Sequence, residues 1–475
     1  MGKVYLVGAG TGDVGLITAH GKALVEKADC ILYDRLIGSE LLQLADARCE
    51  KIYVGKAQHH HTVPQAEIQR LLLEKAQQYE TVVRLKGGDP YVFGRGAEEA
   101  LFLQEHGVDT EVVSGVSSVT AALAYAGIPA TKRGVATGFR AVTAHTKEDL
   151  LNNIDFSTML NEKETLVFLM GLRHLDEIAQ ALMKAGRREE TPVAVIANAT
   201  TPRQKKCVGT LESIAALVKA QGLTSPAIIV VGDVVRYHSC LSFYEKKRLF
   251  GKKYLLPYIE GITYSFRHGL QPVKQSELQT GLTALGAAAV PYQVGKINRI
   301  SFDTGIIEAG QWLVFTSKNA VYSVMSQLGD LRKIAGCRIA AVGRKTAAVL
   351  ADFGIAADRI AEKGTVSDLA KQLTGEQNLI CFTEKNSPGI PDGRQVVCYE
   401  NAAVATPFPE EAKDCDGVLF TCASSVRRTW VAADGILPEK IYSIGPSCSK
   451  ELQQHGITAF AEAKEPSYEQ LIALL

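Results

Sequence analysis

The stretch Arg84-Leu-Lys-Gly-Gly-Asp-Pro-Tyr-Val-Phe-Gly-Arg-Gly96 sets a carboxylate beside two glycines, directly after an apolar run over 79–85 that reads as a buried strand. Gly87-Gly88 frees the backbone to take positive φ and lets a ligand approach it closely. Asp89-Pro90 keeps a helix from starting at once, because the residue before proline is pushed out of the α region. Backbone N–H groups in such a turn hold a carboxylate, and Asp89 accepts from an amine or hydroxyl. That chemistry suits a small zwitterionic or nucleoside ligand. A bare Gly-Gly-Asp is equally an ordinary strand-to-helix turn.

A second glycine-rich turn lies near the start. Val4-Tyr-Leu-Val-Gly-Ala-Gly-Thr-Gly-Asp-Val-Gly15 reads as a strand entering a turn. A helix over about 16–27 follows, then a strand over 30–33 that ends at Asp34-Arg35. An acidic residue about 20 positions beyond the glycines fits a dinucleotide fold. The spacing argues against it, since Gly-x-Gly-x-x-Gly needs glycine where Asp13 stands, and no Gly-Lys-Ser/Thr follows. Further on, a strand passes through Gly115 into a helix whose start carries Ser117 and Ser118, a hydrogen-bonding platform or plain caps. Strands over 165–170 and 192–198 close on Met170-Gly-Leu and Asn198-Ala-Thr-Thr-Pro-Arg, and Met170 reads most simply as core filler. His59-His60-His61 cannot converge on one ion as histidines four apart can, so no metal site is expected.

The elements that must position these residues need more than one core: 475 residues suggest three to four compact lobes. Lys and Arg total 52 against 51 Asp and Glu, a formal charge of +1, which gives no basic excess for nucleic acid. No apolar run approaches the roughly 18 residues of a membrane span, and no signal peptide opens the chain. The ten cysteines form no CxxC pair and read as reduced thiols, so a cytoplasmic protein without membrane or nucleic-acid partners is expected.

The second half repeats itself. Leu313-Val-Phe-Thr-Ser-Lys-Asn-Ala-Val321 recurs as Leu419-Phe-Thr-Cys-Ala-Ser-Ser-Val426, and Ile339-Ala-Ala-Val-Gly-Arg-Lys-Thr-Ala as Ile441-Tyr-Ser-Ile-Gly-Pro-Ser-Cys-Ser. Alternating strands and helices predict two α/β lobes with parallel sheets. Thr316, Ser317, Thr346, Thr421, Ser424 and Ser447 fall at predicted helix N-termini. Any one of them alone is most simply a cap. Duplicated across two lobes, such N–H-rich ends suit a polyanion.

The thirteen residues from Arg84 resemble the GGDPFVFGRG signature of the uroporphyrinogen-III C-methyltransferases, tetrapyrrole methylases that use S-adenosylmethionine. The likeness covers about 4–235. VYLVGAGTGDVGLITAHGKALVEKADCILYDRLI is similar to the family opening, with Thr11 where proline is usual; Val54-Gly-Lys56, His61, Gln65 and Ala124-Tyr-Ala-Gly-Ile-Pro-Ala-Thr-Lys-Arg continue it. The resemblance implies a two-lobed fold with Asp34 as proton acceptor and Lys56 as proton donor. It implies adenosylmethionine contacts at Thr11, Gly87, Gly88, Asp89, Val92, Ser117, Ser118, Met170 and Ala199. It also implies two methylations of uroporphyrinogen III to precorrin-2, on the cobalamin and sirohaem route, and a homodimer through this half. RNA methylation by a sister family fits neither the signature nor the charge.

Residues 236–253 (RYHSCLSFYEKKRLFGKK) are basic and dotted with aromatics, without clean periodicity, and read as a connector with a solvated basic face. They are similar to the FEKKPLFGKR linker of fusions with a second enzyme. Domains at 1–236 and 254–475, joined by 237–253, are therefore expected. WLVFTSKNAV, IAAVGRKTAAVLADFGI, VVCYENA and DGVLFTCASSVRR resemble uroporphyrinogen-III synthase, whose two lobes grip the eight-carboxylate tetrapyrrole hydroxymethylbilane. The likeness implies cofactor-free ring closure with inversion of ring D, with Tyr399 as an acid. It implies tetrapyrrole contacts at the six Thr and Ser positions and at Arg267, in Ile262-Thr-Tyr-Ser-Phe-Arg267, the nearest match to the family's opening VTR. That match is imperfect and follows an insert over 254–261. A methyltransferase carrying a tetrapyrrole-binding but non-catalytic C-terminal module is the alternative; a dinucleotide-dependent oxidoreductase comes third.

Overall fold

A computed structural model describes residues 1–46, 48–55, 64–144, 151, 154–267, 269–273, 277–387, 389–391 and 393–475. It divides into two units, Met1–Lys252 with Thr280–Ala288, and Lys253–Gln279 with Ala289–Leu475.

The first unit opens with β1 (Lys3–Gly8), β2 (Cys30–Tyr33), β3 (Glu50–Tyr53), β4 (Thr81–Lys86) and β5 (Thr110–Val113). They pair in the order β3-β2-β4-β1-β5, parallel throughout. Near-continuous apolar runs suit such a sheet, buried on both faces: Val4, Leu6, Val7, Ile31, Leu32, Val82, Val83 and Leu85 are all buried. One face packs on the helix Ala19–Lys27 through Leu24 and Val25, the other on the helix Gln65–Gln78 through Ile68, Leu72 and Ala76, spaced four apart. The helix expected from about residue 16 begins only at Ala19, because Thr18 caps it by accepting from the Gly21 N–H at 3.1 Å.

The second sheet of this unit holds β6 (Gly138–Thr143), β7 (Glu164–Leu169), β8 (Pro192–Ala197), β9 (Lys205–Thr210) and β10 (Ala227–Val231), in the order β6-β7-β10-β8-β9. Only β6 and β7 run parallel; β7–β10, β10–β8 and β8–β9 are antiparallel. The short link between β8 and β9 leaves no room for the crossover that parallel neighbours need. All but the last residue of the 237–253 stretch read from sequence as a connector packs into this unit. Tyr244 is buried, its ring centroid 4.8 Å from that of Tyr125 and 5.5 Å from that of Phe250.

The second unit contains β11 (Lys253–Glu260), β12 (Ile262–Ser265), β13 (Gly269–Pro272), β14 (Ala288–Arg299), β15 (Trp312–Phe315), β16 (Arg338–Ala341), β17 (Arg359–Ile360), β18 (Leu379–Glu384), β19 (Arg394–Ala403), β20 (Gly417–Phe420), β21 (Ile441–Ser443) and β22 (Ala461–Glu462). The repeat is realised element for element. β15 leads into the helix Lys318–Leu328, β16 and the helix Arg344–Ala351; β20 leads into Ala423–Ala432, β21 and Pro446–Gln454. The parallel pairing expected of both lobes is present, over β17-β16-β15-β18-β19 and over β11-β20-β21-β22, and the ten strands run as one sheet in the order β17-β16-β15-β18-β19-β14-β11-β20-β21-β22. The junction is β14, twelve residues long, antiparallel to β19 from Gly295 opposite Ala403 to Arg299 opposite Tyr399. β12 and β13 form a separate hairpin. Among the described residues no helix is long and apolar enough to cross a membrane.

Candidate functional sites

The first site lies where β1, β4 and β5 end. Gly8, Gly88 and Gly115 meet there: a methyl on Gly8 would sit 2.5 Å from the Gly115 Cα, and one on Gly115 would run into the Gly88 carbonyl. Gly10 and Gly88, at φ +76° and +70°, exchange backbone hydrogen bonds of 2.7 and 3.3 Å. The Asp89 carboxylate ties this turn together, accepting from Tyr91 N–H at 2.8 Å and Gly115 N–H at 3.1 Å. Ser117 caps the helix Ser118–Tyr125, its Oγ accepting from Val119 N–H at 3.3 Å. A Cβ on Gly88 would lie 3.8 Å from Ser117 Cα and 3.9 Å from Ser118 N.

The second sheet of the unit closes onto this edge. Thr11 Oγ1 lies 3.2 Å from Thr200 Oγ1, which donates to the Thr11 carbonyl at 2.7 Å. Val92, from the signature turn, packs in one apolar cluster with Leu169 and Ala199. Met170, just past β7, is half-exposed with φ +57°. Seven non-glycine residues among those described have positive φ, and five of them are Phe93, Arg95, Met170, Asn198 and Thr200. Such conformations cost on the order of 1–3 kcal/mol each and collect where function over-determines the backbone. Thr11, Gly88, Asp89, Val92, Ser117, Ser118 and Ala199 are thus gathered at one edge, with Met170 on a strand end of the same unit.

Asp34 follows β2 beside a pocket of about 390 Å³, lined also by Arg35, Arg84 and Arg95 and the apolar Leu36, Val54 and Ile68. A Cβ on Gly87 would touch Leu36 at 3.2 Å, so the pocket adjoins the signature turn. The Asp34 carboxylate lies 3.7 Å from the Arg84 guanidinium and accepts from the Leu36 N–H at 3.2 Å. Beneath it, sequence reading missed a buried charge cluster. Lys86 Nζ meets both Glu99 oxygens at 3.0 Å, Arg84 Nε lies 3.5 Å from Glu99, and Gln65 donates to Glu99 at 3.0 Å. Burial, and then the neighbouring Arg84 charge, pull the Lys86 ammonium below its ordinary pKa. The available signal was Arg84 and Lys86 in an otherwise apolar strand, since such charges are buried only when paired. Arg95 is paired with Glu98 at 2.6 Å and Arg84 with Glu99, which leaves Arg35 as the pocket arginine with no acidic partner among the described residues; a cationic wall of this kind suits a substrate rich in carboxylates. Lys56 and His59-His60-His61 lie outside the described residues.

In the second unit, Tyr399 sits on β19 and is buried; its hydroxyl lies 2.9 Å from Ser317 Oγ, which also caps the helix Lys318–Leu328 by accepting from Ala320 N–H at 3.1 Å. Burial pushes the Tyr399 phenol up to about 12, against a smaller lowering by Ser317. Asn401, two residues along and so on the same face of the strand, donates to Ser424 at 3.3 Å and accepts from Arg428 at 2.8 Å. Strand β19 thereby joins the hydroxyl-bearing helix starts of both lobes, a role of Asn401 and Arg428 that sequence reading missed. Thr316 is occupied in bonding the Phe382 carbonyl at 2.9 Å. Thr346 is buried in the first turn of its helix, Thr421 is half-buried just past β20, and Ser447 is exposed at the second position of the helix Pro446–Gln454. Arg267 is exposed in the turn between β12 and β13, a hairpin separate from the ten-stranded sheet, and most of the stretch over 254–261 that reads as an insert is β11, paired with β20.

These units define a chain of two α/β enzyme modules, each with its polar groups at strand ends. Residues 3–215 match the family model of the tetrapyrrole (corrin/porphyrin) methylases, and 276–473 that of uroporphyrinogen-III synthase HemD. The porphyrin biosynthesis protein HemD of Ruminiclostridium josui is 38% identical over 368 residues, covering 75% of this chain and 70% of that protein. A uroporphyrinogen-III C-methyltransferase of Bacillus subtilis is 43% identical over 52% of this chain and 96% of its own length. The chain spans about half the length of siroheme synthases such as that of Chromobacterium violaceum, at 44% identity. The solved uroporphyrin-III C-methyl transferase of Thermus thermophilus, complexed with S-adenyl homocysteine, is 43% identical over 50% of this chain and 99% of that one, with a TM-score of 0.43. The chain belongs to the tetrapyrrole methylases through its first unit and to the uroporphyrinogen-III synthases through its second.

Proposed function

We propose that this protein carries out two consecutive steps, closing hydroxymethylbilane to uroporphyrinogen III and methylating that product twice to precorrin-2. The observation that carries the reading is the meeting of the Gly10–Gly88 turn, the Ser117 helix start and the Asp34 pocket along one parallel-sheet edge. Open α/β sheets take ligands outside the carboxyl ends of their strands. Adenosylmethionine, when bound, supplies an electrophilic methyl group. Glycines packed too tightly to carry a side chain let backbone N–H groups face such a ligand, which fits Thr11, Gly87, Gly88, Asp89, Val92, Ser117, Ser118, Met170 and Ala199 as its surroundings. Methylating a pyrrole carbon leaves a cation that must shed a proton, and Asp34 is placed to take it. Lys56 supplies a proton or offsets a substrate carboxylate. Arg35 orients a substrate carboxylate, and Arg84 and Arg95, held by Glu99 and Glu98, add positive potential to the pocket wall. Alignment and exclusion of water do most of the work.

In the second unit, Tyr399 remains protonated and donates toward the departing hydroxyl of hydroxymethylbilane, while Ser317, Thr346, Thr421, Ser424 and Ser447 bind its carboxylates. This half needs no cofactor. We place the activity in the cytoplasm, consistent with ten free thiols, and expect a homodimer through the first unit, with neither nucleic acid nor a membrane as partner. The place of Arg267 in a hairpin outside the ten-stranded sheet favours a second reading in which the C-terminal unit binds tetrapyrroles without closing them. Asp34→Ala should bind adenosylmethionine normally yet methylate at least a hundredfold more slowly, as a lost general base does. A wild-type rate measured with uroporphyrinogen III would remove Asp34 from the mechanism.

A further inference from the structure

Thr200 is buried and holds a left-handed backbone, φ +66°, which a β-branched residue adopts only when its surroundings impose it. The impositions are visible. Gln204 Oε1 accepts the Thr200 N–H at 2.9 Å, and the Tyr244 hydroxyl donates to the Thr200 carbonyl at 3.2 Å. So held, Thr200 Oγ1 reaches the opening glycine turn, donating to the Thr11 carbonyl at 2.7 Å and accepting the Asp13 N–H at 3.3 Å. Asp13 is gripped a second time, by the Tyr125 hydroxyl at 2.8 Å.

Both routes lead back to the segment after the last strand. Gln204 Nε2 donates to the Tyr125 carbonyl at 3.2 Å and to Glu245 at 3.1 Å, and Glu245 pairs with Lys206 at 2.8 Å and accepts from Ser242 at 3.3 Å. The Tyr244 ring packs on that of Tyr125. Residues of a stretch that looks like a spacer therefore hold, at one remove, the turn whose shape decides what binds between Gly10 and Gly88.

We propose that Tyr244 and Glu245 are positioning residues of the methyl-donor site, fixing the Thr11–Asp13 turn through Thr200, Gln204 and Tyr125. The inference rests on the methyltransferase reading of that site. Its test uses the full chain, titrated with S-adenosylhomocysteine by calorimetry, alongside KM for both substrates and thermal melting. Tyr244→Phe keeps the ring packing and loses only the hydroxyl. It should weaken adenosylhomocysteine binding roughly threefold to tenfold and leave KM for uroporphyrinogen III unchanged. Glu245→Ala should weaken binding more than about tenfold, with Glu245→Gln, which still accepts from Gln204, recovering much of it. If Glu245→Ala does not fold, Tyr244→Phe decides alone. Lower melting temperatures with unchanged affinity in the folded fraction would reduce both residues to packing and overturn the proposal. Wild-type protein that binds no adenosylhomocysteine would overturn the methyltransferase reading and this inference together; equal binding by wild type and both variants would overturn this inference alone.

Discussion

A phenol removed from water resists ionisation, and Tyr399 pays that cost in its charged form only. Its pKa of about 12 lies above the roughly 10 of an unfolded tyrosine. A raised acid of this kind contributes stability that is complete below the unfolded value and lost as pH climbs through the folded one. The contribution of Tyr399 should therefore be intact to about pH 10 and be lost, on the order of 2–3 kcal/mol, between pH 10 and 12, read as the difference in stability between wild type and Tyr399→Phe. Burial also raises Tyr125, Tyr244, Tyr258, Tyr292 and Tyr468, so spectrophotometric titration should show a group of late-ionising phenols that Tyr399→Phe reduces by one; an unchanged late-ionising amplitude in that variant would contradict the burial argument. Tyr399 was legible because it sits in a recognisable segment, but its partners were not. Ser317 reads as a helix cap and is one, and nothing in its type announces a second bond to a strand residue 82 positions away.

Between elements, the decisive contact is β4 against the helix Gly96–Glu105. Arg84 and Lys86 point two cations from a buried strand, and Glu99 meets both, at 3.5 and 3.0 Å, while Asp34 adds a longer contact to Arg84 at 3.7 Å. Removing one partner of a buried pair leaves uncompensated charge, so Glu99→Ala should destabilise the first unit by about 3–5 kcal/mol, read by denaturant unfolding. A loss below about 1 kcal/mol, the worth of a surface pair, would show the cluster to be solvated. The Gly-Gly-Asp turn was legible since glycine takes the φ +70° that Gly88 adopts without the steric cost a side chain adds. Glu99 was not, because Gly-Ala-Glu-Glu at a helix start reads as acids favoured by the dipole and facing water. β9 escaped notice behind Lys205-Lys206. The stretch over 254–261 reads as an insert because Pro257 argues against a central strand, yet most of it forms β11.

Over the whole molecule, one chain joins a unit suited to an adenosyl methyl donor to a unit whose duplicated halves share one ten-stranded sheet. The duplication was legible as a repeated sequence; the continuity of the sheet was not, since it depends on the antiparallel partnership of β14 and β19, which no local pattern encodes. The central claim is met most directly by incubating the purified full-length protein with hydroxymethylbilane, with and without adenosylmethionine, and analysing the isomers formed. The account predicts type III uroporphyrinogen alone, converted to precorrin-2 when the methyl donor is added. Type I product, at the rate of spontaneous closure, would contradict it and leave the second unit a binding module.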